Sequence, residues 1–146
     1  MEHYLQALKI DPQYAEAHRN LALVWIADGK LSEARSQLYE AIRLKPDYVD
    51  AINDLAWMLA TAPDEKVRDA HEALRLARQA VQLTGERDAG VLETLAAAHA
   101  EGGDFPQAAS TIEQAIKLCD AGTQQQLRET LQGCLQLFRA GKPARQ

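Results

Sequence analysis

Residues 15–48, AEAHRNLALVWIADGKLSEARSQLYEAIRLKPDY, carry the pattern that decides the fold of this chain. The stretch holds two amphipathic segments, 15–28 and 31–45, and the break between them begins at the pair Asp28-Gly29. Apolar residues recur in each segment at the spacing of one helix face, and a glycine after an aspartate is a common turn signal. The stretch therefore predicts two amphipathic helices joined by a tight turn.

Two independent series of residues repeat this unit along the chain. An alanine recurs at steps of 34, 39 and 35 residues, at Ala7, Ala41, Ala80 and Ala115. A Leu-Ala pair recurs at steps of 34 and 40 residues, at Leu21-Ala22, Leu55-Ala56 and Leu95-Ala96. The spans from Ala41 to Ala115 and from Leu21 to Leu95 are both 74 residues, which is two 34-residue units plus six extra residues, five of them before Ala73 and one after Ala80. A fixed period of this length predicts stacked structural repeats, with the extra residues between helices.

The repeat predicts a series of helices that ends in a single unpaired one. The predicted helices comprise residues 2–10, 15–28, 31–45, 49–61, about 66–84, 88–101, 105–119 and 123–140. In the last of them, Thr123 and Gln126 form a capping-box pattern. Its apolar residues follow one helix face and predict a single buried stripe, at Leu127, Leu131, Cys134, Leu135 and Phe138.

These features resemble the tetratricopeptide repeat over about residues 1–120, with Ala15 at position 1 of the unit. The small residues of positions 8, 20 and 27 are Ala22, Ala56 and Ala96, then Ala34, Ala73 and Ala108, then Ala7, Ala41, Ala80 and Ala115. The turn proline of position 32 is Pro12 and Pro46. The resemblance implies an all-α fold, a right-handed superhelix of antiparallel helix pairs forming a solenoid.

The resemblance also sets the expected boundaries. A half-repeat covers residues 1–14, and three full repeats cover 15–48, 49–88 and 89–122. A capping helix covers 123–140, so that residues 1–140 form one domain, and 141–146 form a flexible tail.

In this family the first helix of each pair lines a concave groove that binds a ligand. Carried over position by position, the resemblance implies partner-binding roles for Arg19, Asn20, Leu23, Asn53, Asp54, Trp57, Glu93 and Thr94. The groove positions also hold five carboxylates against Arg19 as the only cation, at Glu16, Asp50, Asp54, Glu93 and Glu101. This excess disfavours a clamp for a terminal carboxylate and favours a basic or polar-apolar protein segment.

Several of these residues have a plainer interpretation as structural side chains. Trp57 could pack against a neighbouring unit instead of a ligand, and exposed carboxylates such as Glu93 are often only solvated. Trp25 lies at a packing position and is expected in the core. His18 and His99 occupy packing positions too, where buried or half-buried histidines are more common than ligands.

Composition and motifs exclude several classes of function. The chain of 146 residues has a net charge of −5, which disfavours nucleic-acid binding, including the RNA binding of a related helical-hairpin repeat. No apolar run approaches the roughly 18 residues of a membrane span, and no signal-peptide pattern opens the sequence. The sequence lacks nucleophile-elbow, phosphate-loop and zinc-helix motifs, so we expect no enzyme, metal site or cofactor. Cys119 and Cys134 are expected as separate thiols, which favours the cytoplasm.

The sequence leaves two hypotheses for function. The first is a non-catalytic scaffold for protein–protein interaction that binds a peptide or partner helix in its groove. The chain starts at position 21 of a unit, which suggests a fragment of a larger protein with more sequence before it. The alternative is a self-association module, a homodimer formed through Tyr4, Leu5, Leu8 and Ile10 of the first helix.

Overall fold

A computed structural model describes residues 2–11, 13–119 and 124–145 of the chain. Within these ranges it contains eight α-helices and no strand, which confirms the predicted all-α class. The helices are α1 Glu2–Ile10, α2 Ala15–Ala27, α3 Leu31–Leu44, α4 Val49–Thr61, α5 Ala70–Thr84, α6 Ala89–Glu101, α7 Phe105–Leu118 and α8 Gln125–Arg139. The predicted turn proline Pro12 and the predicted capping residue Thr123 lie outside the described residues, as does the unit boundary at 122.

The chain forms two compact units, Met1–Leu55 and Ala56–Gln146, and the boundary falls within α4. In the first unit α2 packs against α1 and α3. Ala22 of α2 and Ala34 of α3 are completely buried, as expected for residues that let two helices approach closely. The turn between these helices depends on Gly29, whose φ of 75° is a conformation that side chains disfavour.

The second unit contains the end of α4 and the helices α5 to α8, each packed against the next from α5 onward. Its core contains fully buried alanines at the predicted repeat positions, at Ala73, Ala80, Ala96, Ala108 and Ala115. The predicted apolar stripe of α8 is present. Leu131 and Phe138 are fully buried, whereas Leu127, Cys134 and Leu135 are half-buried.

The connection between α4 and α5 differs from the prediction, because α5 begins at Ala70 rather than near residue 66. Residues 63–67 instead form turns around Asp64, whose carboxylate accepts a hydrogen bond from the amide of Lys66 at 2.9 Å. Asp69 then caps α5 by accepting the amide of Glu72 at 3.1 Å. A capping aspartate favours a helix start immediately after itself, and this local signal overrides the helical pattern before it.

The segment after α8, which the sequence predicts as a flexible tail, makes specific contacts. The Gly141 amide donates to the Phe138 carbonyl and the Lys142 amide to the Leu137 carbonyl, at 3.0 and 2.9 Å. With Gly141 at a φ of 71°, these two bonds form a Schellman motif, which reverses the direction of the chain. Ala144 is buried as a result.

We expect Ala56→Leu to destabilise the protein by about 1–3 kcal/mol, because Ala56 is completely buried and a larger side chain overpacks the core. Chemical denaturation followed by circular dichroism measures this change. Ala27→Leu is the matched control, since Ala27 lies in a helix but is exposed. Equal stability of the two variants would show that Ala56 does not mark a close helix contact.

Candidate binding site

An ion pair joins two predicted binding residues of the first unit. The Nε of Arg19 on α2 donates to the Oδ2 of Asp54 on α4 at 2.7 Å. Both side chains are mostly buried but retain some exposure to solvent. The two residues are 35 positions apart in the sequence, and their contact joins α2 to α4. We call Arg19, Asn20, Asn53 and Asp54 the first-unit cluster.

Burial and charge act in opposite directions on this ion pair. Burial raises the pKa of Asp54 above its ordinary value, although the hydrogen bond from Arg19 opposes the shift. Burial alone would lower the pKa of Arg19, but the hydrogen bond and charge of Asp54 raise it. Asp50 acts on both groups and is itself exposed. Arg19 is therefore held as a cation whose charge is largely balanced within the cluster.

The other members of the first-unit cluster are polar side chains with partial exposure. Asn20 and Asn53 are both half-buried. The Oδ1 atom of Asn53 is buried and accepts no hydrogen bond from any described residue. Leu23, the apolar residue predicted beside them, is 38% exposed. The first unit thus contains a buried acceptor, an oriented ion pair and an exposed apolar side chain.

The predicted binding residues of the second unit are less accessible. Trp57 is half-buried. Thr94 is only 2% exposed, and its hydroxyl donates to the Gly90 carbonyl at 3.2 Å. The cause is the burial of α6, in which nine of thirteen residues are buried and no broad face remains open.

Glu93 of α6 is a half-buried carboxylate that faces a thiol. Its Oε1 atom lies 4.0 Å from the Sγ of Cys134 on α8. Burial raises the pKa of Glu93 above its ordinary value. Burial and the Glu93 charge together raise the pKa of Cys134 to about 11, so this thiol is protonated at neutral pH. Both cysteines are free in the structure.

Sequence reasoning missed two arginines beside Glu101, the last residue of α6. Arg68 donates to Glu101 Oε1 at 2.9 Å, and Arg145 donates to Glu101 Oε2 at 2.7 Å. Arg19 is still the only cation at the groove positions of the sequence, but these two arginines from outside the groove positions pair with Glu101, one of the five carboxylates. Arg68 lies in the insertion before α5 and Arg145 follows α8, and no spacing rule relates either position to Glu101.

The histidines and Trp25 show how the packing positions are used. His18 is buried, and its Nδ1 atom lies 2.7 Å from the side-chain oxygen of Gln37. His99 is buried as well, and burial lowers its pKa. Trp25, predicted in the core, is only half-buried and lies beneath the ammonium group of Lys30 at 4.9 Å from the ring centre.

Two further features concern the described part of the chain, namely membrane-spanning helices and metal sites. No helix there is long and apolar enough to cross a membrane. No three His, Cys, Asp or Glu side chains there are grouped so that they could hold a metal ion.

We expect Glu93→Gln to stabilise the protein near pH 7, raising the unfolding midpoint by about 1–3 °C. The pKa of Glu93 is higher in the folded state than in the unfolded state. Ionisation of Glu93 therefore lowers the free energy of unfolding as the pH rises from the unfolded-state pKa to the folded-state pKa. The advantage of the variant should therefore disappear near pH 4 or below, where both states are protonated. Thermal unfolding at several pH values measures this, with the exposed Glu65→Gln as control. An equal midpoint for Glu93→Gln and wild type near pH 7 would contradict the assigned burial penalty.

Comparison with known proteins bears on the family and the fold. A family model described as a TPR repeat matches residues 1–25. The crystal structure of MamA is similar to this chain, with a TM-score of 0.69 and 16% identity, over 94% of this chain and 84% of that one. At this identity the likeness shows the fold. No curated protein sequence matches the chain. The match to a TPR repeat model is thus confined to residues 1–25, and over most of the chain the likeness to MamA shows a shared helical fold.

Proposed function

We propose that the protein is a scaffold for protein–protein interaction that binds a peptide or partner helix at the first-unit cluster. Tetratricopeptide repeats support an interaction scaffold in general terms, and their fold is typically non-catalytic. The more specific proposal of a bound protein segment depends on the first-unit cluster.

The observation that carries the proposal is the unpaired Oδ1 atom of Asn53. A buried acceptor without a donor costs about 1–3 kcal/mol, and native proteins rarely retain one without a reason. The Asn53 side chain as a whole is half-buried, and a turn of its amide toward the surface would let a backbone N–H of a bound segment supply the missing donor. Asn20, half-buried on α2, is the second amide that we expect to contact the backbone of that segment.

The surroundings of the cluster favour a basic or polar-apolar segment. Asp54 is already paired with Arg19, but the exposed carboxylates of Glu16 and Asp50 remain available to attract a cationic side chain. Leu23 offers exposed apolar surface to the same partner. A partner with alternating basic and apolar residues would satisfy both features.

In the second unit, Trp57 and Glu93 are further candidates for contact with a partner. The half-exposed indole of Trp57 suits an apolar or cationic side chain. Because Glu93 is partly covered by α8, its contact with a partner would be limited to its exposed part.

We expect Asn53→Ala to weaken peptide binding about 2- to 10-fold, the effect of removing one net hydrogen bond. An immobilised array of short random peptides identifies binders to the wild-type chain, and fluorescence anisotropy then measures the affinity of the strongest ones. The peptides selected should be rich in Lys, Arg and apolar residues.

Gln132→Ala is the matched control, since Gln132 is an exposed amide on α8. Its affinity for the selected peptides should equal that of the wild type. Peptides that bind Asn53→Ala and Asn20→Ala as tightly as the wild type would show that the first-unit cluster does not bind them.

Self-association through α1 is a second candidate function, which a specific feature of that helix favours. None of the described residues of α1 is buried. Ile10 is 87% exposed, and Leu5 is also exposed. Leu5 and Leu8 line an open groove of about 450 Å³ together with Glu2, Gln6 and Lys9. Apolar surface of this kind could be covered by a second copy of the chain.

If α1 mediates a dimer, we expect Leu5→Lys to convert the protein to a monomer, because a charge would then be buried in the interface. Light scattering across a range of protein concentrations measures the mass. Leu83→Lys provides the control, since Leu83 is a similarly exposed leucine on α5. A wild-type chain that is monomeric at all concentrations would eliminate this candidate.

A further inference from the structure

We propose that the C-terminal end of α6 is a second binding site, specific for an arginine-bearing protein segment, and that residues 142–145 of the chain itself occupy it as an internal competitor. The site consists of Glu101 and Arg68, and the occupant consists of Ala144 and Arg145. It lies in the second unit and does not include the first-unit cluster, so it goes beyond the function proposed above.

The carboxylate of Glu101 accepts hydrogen bonds from two guanidinium groups. Its side chain is only 14% exposed, yet each of its two oxygens accepts one hydrogen bond from an arginine. It is also the last residue of α6, and the aligned peptide dipoles give this end of a helix a partial negative charge. Both the carboxylate and the helix end therefore favour cations.

Arg68 is the permanent member of this arrangement. Besides Glu101, its guanidinium donates to the carbonyls of Ala62 and Pro63 at 2.7 and 3.0 Å. Its side chain is 16% exposed. Because these contacts lie within the turn that precedes α5, Arg68 stays in place whether or not the other oxygen of Glu101 is occupied. The turn is anchored in addition by the Asp69 amide, which donates to the Leu59 carbonyl at 2.8 Å.

Arg145 is held far less firmly than Arg68. Its side chain is 37% exposed, and apart from Glu101 the acceptor that it has among the described residues is the carbonyl of the adjacent Ala144, at 2.9 Å. Among the described residues, no backbone hydrogen bond joins the stretch 143–145 to the rest of the protein. The last such bond is that of Lys142 to Leu137. The contact of this stretch with the second unit thus depends on the burial of Ala144 and on one ion pair.

The occupant defines the chemistry that the site accepts. A small apolar residue is buried, and the arginine that follows it reaches Glu101. A partner segment that carries a small residue followed by arginine can make the same two contacts. Lysine is a poorer substitute, because its ammonium group is more strongly hydrated than a guanidinium and loses more on pairing with a carboxylate that is only 14% exposed.

Residues 142–145 compete with a partner for the site because they are covalently connected to it through α8. The Schellman motif at Gly141 directs residues 142–145 back toward α6, so the local concentration of Arg145 at Glu101 is high. An internal segment that occupies the site nine-tenths of the time lowers the apparent affinity of a partner about tenfold. Only an arginine-bearing partner that binds tightly enough to displace residues 142–145 therefore occupies the site.

The test uses the full chain labelled with ¹⁵N and an acetylated peptide KPARQ, which copies residues 142–146. Amide shifts of Ala100, Glu101 and Gly102 are followed by NMR during titration with the peptide. In Arg145→Ala we expect an apparent Kd about tenfold lower than in the wild type, because the competitor has lost its ion pair. In the wild type, excess peptide should move the amide chemical shifts of Ala144 and Arg145 toward the values of an unfolded chain.

Arg139→Ala is the matched control, since Arg139 is another arginine near the end of the chain that pairs with a glutamate, Glu113, at 2.8 Å. This variant should bind the peptide as the wild type does. Introducing Glu101→Gln into Arg145→Ala should weaken binding at least tenfold. The peptide KPAKQ, tested on the unchanged protein, examines the same contact without any effect on folding and should bind more weakly.

Two outcomes would overturn the proposal. One is an equal Kd for wild type and Arg145→Ala, and the other is equal binding of KPARQ and KPAKQ. The variant Asn20→Ala/Asn53→Ala separates this proposal from the function proposed above. It should bind KPARQ normally, and loss of binding would place the peptide at the first-unit cluster and reject the site at α6.

Discussion

Close contact between helices through alanine is the constraint on which the rest of the structure depends. Ala22 and Ala34 in the first unit, and Ala96 and Ala108 in the second, are completely buried. Without side chains beyond a methyl group, the backbones of neighbouring helices approach closely, and larger residues such as Leu38 and Ile112 fill the remaining space. The same requirement at the same position of each unit produces the period seen in the sequence.

The helices pack regularly, whereas several polar contacts of the chain come from the connections between helices and from the residues after the last one. The insertion before α5 presents Arg68, and the Schellman motif after α8 presents Arg145. Both arginines meet at Glu101, a position that the repeat itself supplies. In the first unit, by contrast, the polar contacts come from the repeat helices alone, since Arg19 and Asp54 both lie on first helices. The two units thus obtain their candidate binding chemistry in different ways.

The sequence predicted most of the helices because each has a local signal. The bounds of α1 and α4 agree with the prediction, whereas α5 begins four residues later than expected, since Asp69 caps it. The candidate site was less predictable. The repeat positions placed Arg19, Asp54 and Glu101 in the predicted groove, but they did not predict the ion pairs that these residues make within the chain. Thr94 is an example of what the sequence did not predict, because a family position cannot indicate that most of α6 is buried.

The sequence by itself determined the helical-repeat fold, the positions of its close contacts and the polar character of the first helices, because these depend on periodicity and local propensity. Only the tertiary structure decided how the charges are paired. Glu101 lies 33 residues from Arg68 and 44 from Arg145, and the segment that carries Arg145 has no regular structure. Such contacts arise from the path of the folded chain, which no local pattern encodes. Burial of α6 and the unpaired acceptor of Asn53 likewise depend on what surrounds them.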